Sequence, residues 1–230
     1  MLTPYDWQEG MGHRSQFVES RLQSGVPVAA VSIPEGILLA TFRYQSSKVF
    51  EIYDRLAYSA LGMQSDVEAI RVAAVEFTHH EGFRRSEDDV TIQRLVTHLS
   101  EPLKKSFGDF RMAPVVIRGL FCEVNESIDK DRFYVLDYDG DYHLLRKIAF
   151  VAGSNEARDA MVEAVDKVDF SKAKREDALA QLREAVLKGM DPDGGKAAQS
   201  ELQELTFEAA ILRRDGKWAR RYHVLTGKED

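Results

Sequence analysis

Five side chains, His79, His80, His98, Cys122 and His143, are of types that bind transition metals. Their spacing does not build a site. The adjacent pair His79-His80 would point in different directions on a helix, and no H-x-x-x-H or C-x-x-C pair occurs. Asp137, Asp139 and Asp141 around Gly140 supply oxygens of the kind calcium takes. The spacing is wrong and no glutamate closes the run, so it reads as a hairpin turn. The DPDGG run at 191–195 is a loop rather than a phosphate cradle, because no Lys-Ser/Thr follows to open a helix. Arg213-Arg214 and Arg220-Arg221 flank a turn and read as the charges that exposed strand edges carry. No metal and no cofactor is expected from these residues.

Bulk properties narrow the function classes further. The chain has 230 residues, 44% of them hydrophobic, which suffices for one sizeable core and a single domain over 1–230. The net charge is −7 and the isoelectric point about 5.5, with no Lys/Arg stripe interleaved with aromatics, so nucleic acid is not an expected partner. The single cysteine fits a reducing compartment. The start MLTPYDWQEGMGHR has neither a basic head nor an apolar core, and no apolar run approaches the ~20 residues a membrane span needs. A soluble cytoplasmic protein is the expectation.

The elements follow from periodicity. Trp7, Met11, Val18 and Leu22 share one helical face, so a helix is expected over 7–24 with Gly25 near its stop. Strands are expected at Val28–Ile33, Ile37–Phe42, Lys48–Tyr53 and Leu56–Leu61, and turns this short require antiparallel pairing. Ser65 and Glu68 form a capping-box pattern ahead of a helix reaching about residue 81. A second helix is expected from Val90 to Phe107, with Pro102 as a kink or irregularity. Strands return at Val115–Val124, Phe133–Tyr138 and Tyr142–Val151. Gly153-Ser154 caps a further helix and another spans Arg175–Lys188, followed by a flexible loop at 191–200. Leu205–Leu212 and Trp218–Val224 close the chain as a hairpin. Runs of strands alternating with pairs of helices predict an α+β fold: a four-layer αββα sandwich of two antiparallel sheets between helix layers, with an added N-terminal helix.

Several of these stretches resemble a known family. GILLA at 36–40, SSKVFEIYDRLAYSALG at 46–62, RMAPVVIRGLFCEV at 111–124 and RFYVLDYDGDYHLLRKIAFVAGSNEARDAMVEAV at 132–165 are similar to the proteasome subunit family. That family is a branch of the N-terminal-nucleophile hydrolases, and the likeness runs in order over roughly 12–225. Its beta-type members cut after a glycine to expose a threonine, whose hydroxyl attacks the peptide carbonyl with its own amine as base. The resemblance places Gly25 at the cleavage glycine, but Val26 and Pro27 follow it. The family's aspartate aligns near Phe42, and Gln45-Ser46-Ser47 offer no counterpart to its lysine. A non-catalytic alpha-type member of bacterial form is what this implies.

The same resemblance assigns the remaining roles. Copies would form a seven-membered homo-oligomeric ring stacked on a beta-type ring and opened by an ATP-dependent unfoldase or another ring activator. Trp7, Met11, Val18 and Leu22 would contact the chain itself and the adjacent subunit. Met1, Leu2, Thr3, Pro4, Tyr5 and Asp6 would form a gate segment at the ring axis. Lys48 would bind the carboxylate of an activator's tail, with Gly25 and Gly62 lining the same groove. The family's acidic residue on the first helix is replaced by Gln16. Two other readings stay open at this point: a self-processing amide hydrolase with an unconventional nucleophile, and a stand-alone scaffold without a protease partner.

Overall fold

Two five-stranded antiparallel sheets are built largely from hairpins. The computed structural model describes residues 4–192, 204–216 and 220–225. β1 (Val28–Ile33) pairs antiparallel with β2 (Gly36–Arg43), Val28 opposite Thr41 and Ile33 opposite Gly36. β3 (Val49–Tyr53) and β4 (Leu56–Gly62) form the next hairpin. β5 (Ile117–Glu123), β6 (Arg132–Asp137) and β7 (Tyr142–Leu145) extend it, giving the order β3-β4-β5-β6-β7. The other sheet has the order β10-β9-β2-β1-β8, with β8 (Ile148–Val151), β9 (Thr206–Arg213) and β10 (Tyr222–Leu225).

Alternation along each strand divides the core into three layers. Val28, Ala30 and Leu39 face Leu120, Cys122 and Phe133 between the sheets. Ala29, Val31, Leu38 and Ala40 point outward onto α4 (Asn155–Val165) and α5 (Arg175–Met190), meeting Met161, Leu182 and Val186. Tyr58 and Phe121 point outward onto α2 (Gln64–Arg84) and α3 (Ile92–Gly108), meeting Leu95, Val96 and Leu99. Strands covered on both faces have no need for polar residues, which is why β1 and β2 read as nearly unbroken apolar runs. This is the expected four-layer αββα sandwich. Added to it is a helix, α1 (Pro4–Leu22), whose Val18 and Leu22 enter the inter-sheet core.

Local departures from the sequence reading have physical causes. The strand expected over Tyr142–Val151 is two strands in different sheets. β7 ends at Leu145, the chain turns at Arg146-Lys147 with Lys147 at φ 68°, and β8 starts against β1. Only Arg146 and Lys147 separate the two strands, too short a break for periodicity to resolve. α2 starts at Gln64 behind Met63, so Ser65 lies inside the helix and makes no cap; Glu68 instead pairs with Arg71. The α2 start is tied down by Asp66, whose carboxylate accepts from Val116 N at 2.8 Å. α3 continues through Pro102, with Leu103 and Phe107 buried beyond it. Ser154 does cap α4, accepting from Ala157 N. Most of the 191–200 loop and Trp218 lie outside the described residues.

Candidate functional site

The site lies where α1 hands the chain to β1. α1 ends at Leu22, and Gly25 N closes the turn by donating to Leu22 O at 2.8 Å. A side chain at Gly25 would collide with Leu61 of β4, whose Cγ lies 2.5 Å from where its Cβ would stand. Val26 and Pro27 then lead into β1, and buried Thr41 of β2 donates to Pro27 O at 2.7 Å. Two sheets and a helix therefore converge on the residues preceding β1.

Lys48 enters this junction from the start of β3. Its ammonium donates to Val26 O at 2.8 Å. Its backbone N–H donates to Glu208 Oε2 of β9 at 2.8 Å, and its carbonyl accepts from Ser59 Oγ of β4 at 2.7 Å. Burial lowers the Lys48 ammonium to about 8, against the opposing charge of Glu208. Glu208 is 6% exposed, and its second oxygen lies 3.9 Å from Arg43 Nε. The junction thus gathers Lys48, Arg43 and Glu208, two cations and one anion.

The three residues expected to line a tail groove are connected. Lys48 holds the Val26 carbonyl, Val26 follows Gly25, and Gly25 packs on Leu61, which precedes Gly62. Both glycines have structural reasons of their own. Gly62 has φ 147°, and a Cβ there would overlap the Val116 carbonyl of the neighbouring chain segment.

Val26, which the resemblance sets at the nucleophile's place, carries neither hydroxyl nor thiol. Phe42, at the aligned aspartate, is 3% exposed and packs edge-on against Phe207, ring centres 5.2 Å apart. The Cys122 thiol is fully buried, and burial pushes it well up.

The remaining expected residues sort by burial. Val18 and Leu22 are completely buried within their own chain, so they cannot also contact a neighbour. Met11 packs on the same core. Trp7 is half exposed, and Tyr5 and Phe17 also face outward, so these are what α1 leaves for a partner. The helix starts earlier than its apolar face suggests. Pro4, Tyr5 and Asp6 form its first turn, with proline suited to the first helical position and Asp6 to the positive end of the helix dipole. Met1, Leu2 and Thr3 lie outside the described residues.

Sequence reasoning missed the charged anchors. Arg118 of β5 donates to Asp137 (3.0 Å), to Ala152 O (3.0 Å) and to Glu19 of α1 (2.9 Å). Tyr138 donates to the same Glu19 oxygen and shares a 2.7 Å hydrogen bond with Ser15. An arginine inside the apolar run VVIRGLF was the available signal. At the opposite end of the sandwich, Arg214 is not a solvated edge charge. It is largely buried, bidentate on fully buried Asp131, and donates to Asn125 O, Ile33 O and Pro34 O.

A four-layer αββα sandwich whose first strand starts under a packed helix is the architecture expected of a proteasome-type subunit. The family model described as "Proteasome subunit" matches residues 22–204. Proteasome subunit alpha of Jonesia denitrificans is 25% identical over 206 residues, covering 89% of this chain and 85% of that one. The Renibacterium salmoninarum subunit of the same name is 27% identical over 215 residues, covering 93% and 85%. That of Streptomyces scabiei is 24% identical over 233 residues, covering 100% and 91%. The chain belongs to the proteasome subunit family. Among the described residues no helix is long and apolar enough to cross a membrane.

Proposed function

We propose that the chain is a non-catalytic alpha-type ring subunit. Copies of it form a seven-membered ring stacked on a beta-type ring, admit substrates through the axis, and receive the tail of an ATP-driven unfoldase beside Lys48. The single observation that carries this reading is the junction before β1. Val26 offers no nucleophile, and its carbonyl is engaged by Lys48. The segment ahead of it is a 19-residue helix with Val18 and Leu22 in the core. A propeptide built this way could not be discarded without opening the inter-sheet core, since each such apolar side chain contributes roughly 1.5–3 kcal/mol when buried. The relatives' shared name, proteasome subunit alpha, supports the same reading.

The function is one of exclusion. The ring keeps folded proteins from a sequestered peptidase until an activator docks. Lys48 suits a tail carboxylate because a charge-assisted hydrogen bond strengthens as water leaves the groove. Tyr5 and Trp7, exposed at the start of α1, would contribute to the axial constriction and the ring contact.

Co-expression with a beta-type subunit, followed by native and denaturing mass spectrometry, tests the proposal. The expected result is an uncleaved chain in a two-ring or four-ring particle. A mature chain beginning at an internal Ser, Thr or Cys would establish the self-processing hydrolase instead, and a lasting monomer would establish the stand-alone scaffold.

A further inference from the structure

The groups around Lys48 assign a task to a residue 160 positions away. Lys48 is fixed at three points: its backbone N–H on Glu208, its carbonyl on Ser59, its ammonium on Val26. The next residue is also held, because Tyr222 of β10 donates to Val49 O at 2.8 Å. Of these anchors only Glu208 carries charge. It stands on β9 opposite Thr41, almost fully buried, with Arg43 of β2 on its far side. Glu51 of β3 and Arg220 are ion-paired with each other nearby, next to Tyr222.

We propose that Glu208 is a positioning residue for tail capture: its carboxylate pins the Lys48 backbone and supplies the negative charge that keeps the lysine cationic until a tail carboxylate arrives. This rests on the reading of Lys48 as the tail-binding residue. A lysine in a dry groove tends to give up its proton, and an uncharged amine is a weak partner for a carboxylate. A carboxylate placed on the backbone side counters this without occupying the ammonium, whose remaining N–H groups stay available. Arg43 approaches the other oxygen of the same carboxylate, Nε 3.9 Å from Oε1, so the anion lies between the Lys48 backbone N–H and a guanidinium.

The test uses the assembled ring of full-length chain and two variants. Glu208→Gln keeps an acceptor for the Lys48 N–H and removes the charge; Glu208→Asp keeps the charge. Titration of Lys48 is followed directly by NMR of 13Cε-labelled lysine, assigned with Lys48→Ala. Retention of a degenerate octapeptide library with free C-terminal carboxylates is measured from pH 6 to 9.5 against the amidated library. In Glu208→Gln the Lys48 midpoint falls by about one pH unit, which takes the protonated fraction at pH 7.5 from about three quarters to about one quarter. Carboxylate-dependent retention at that pH falls about threefold, and Glu208→Asp restores most of it. An unchanged Lys48 midpoint and retention profile in Glu208→Gln overturns the inference, while loss of retention in Lys48→Ala keeps the tail-binding reading. Equal retention by Lys48→Ala and the unaltered chain overturns that reading and the inference with it.

Discussion

Lys48 Nζ lies 2.8 Å from the carbonyl oxygen of Val26. A lysine just ahead of β3 therefore holds the backbone that leads into β1. Under the proposed function the lysine that would receive an activator's tail is also part of what fixes the strand start.

The low proton affinity of Lys48 sets a pH window for docking. With its midpoint at about 8, the ammonium is mostly charged at pH 7 and mostly neutral by pH 9. Tail-dependent stimulation of peptide hydrolysis by a co-assembled beta-type ring should hold to about pH 7 and decline through pH 8. Stability moves the other way. Between about 8 and the ordinary lysine value of 10.5 the unfolded chain binds the proton and the folded chain does not, so folding gains from rising pH in that window. Thermal melts should show the unaltered chain gaining on Lys48→Met from pH 7.5 to pH 9.5. A difference that stays constant over that range contradicts the depressed lysine.

Restoring one hydroxyl should restore no chemistry. Val26→Thr supplies a side chain but no liberated amine, and Phe42 fills the aligned aspartate position with a buried ring. A fluorogenic peptide should remain uncut by the purified variant, with Tm within a few degrees of the parent. Adding Phe42→Asp would place a carboxylate against Phe207 in an apolar layer, at a cost above roughly 3 kcal/mol. Appreciable turnover by Val26→Thr alone would refute the non-catalytic assignment.

Gly25 and Leu61 should behave as a coupled pair. Gly25→Ala drives a methyl into the Leu61 side chain, and Leu61→Ala removes a fully buried one at about 2–5 kcal/mol. In the double variant the new methyl meets vacated space, so the two costs should fall short of additivity by about 1 kcal/mol in urea denaturation. Strict additivity would mean that the Gly25 requirement comes from the backbone and not from this contact.

Much of the architecture was legible because it rests on local signals. The nearly unbroken apolar runs of β1 and β2, the short turn between them and the Ser154 cap each announce themselves within a few residues. What stayed hidden depends on distant partners. Glu208 sits 160 residues from the lysine whose backbone it holds, and Glu19 sits 99 residues from Arg118. The switch of sheet at Arg146-Lys147 hid for a different reason: two short strands stand only two residues apart, and their pairing partners alone assign them to different sheets. Within the site, Lys48 was found by resemblance and Glu208 by geometry. The burial of Val18 and Leu22 likewise shows that a helical face read from spacing does not say which partner covers it.

The last prediction concerns how α1 is held. Its apolar contacts are few for a 19-residue helix, and Trp7, Tyr5 and Phe17 face outward. Charged anchors supplement them: Arg118 on Glu19, Tyr138 on Glu19 and Ser15, and Arg14 on the carbonyls of Met112 and Ser106. Arg118 is central because it also satisfies Asp137 and Ala152 O beneath the helix. Arg118→Met fills similar space but leaves two carboxylates without their cation, which for a partly solvated cluster costs about 1–3 kcal/mol. Glu19→Gln keeps a hydrogen-bond acceptor and removes one charge, so it should cost less, about 1 kcal/mol. Hydrogen exchange followed by mass spectrometry reads where the loss falls. In Glu19→Gln, amides of residues 8–17 should exchange faster while those of β1 and β2 keep their protection, because the turns of α1 ahead of the core residues Val18 and Leu22 can open without unfolding the sandwich. Uniform acceleration across α1 and both sheets would mean that the helix and the sandwich form one cooperative unit, with the arginine cluster part of the common core.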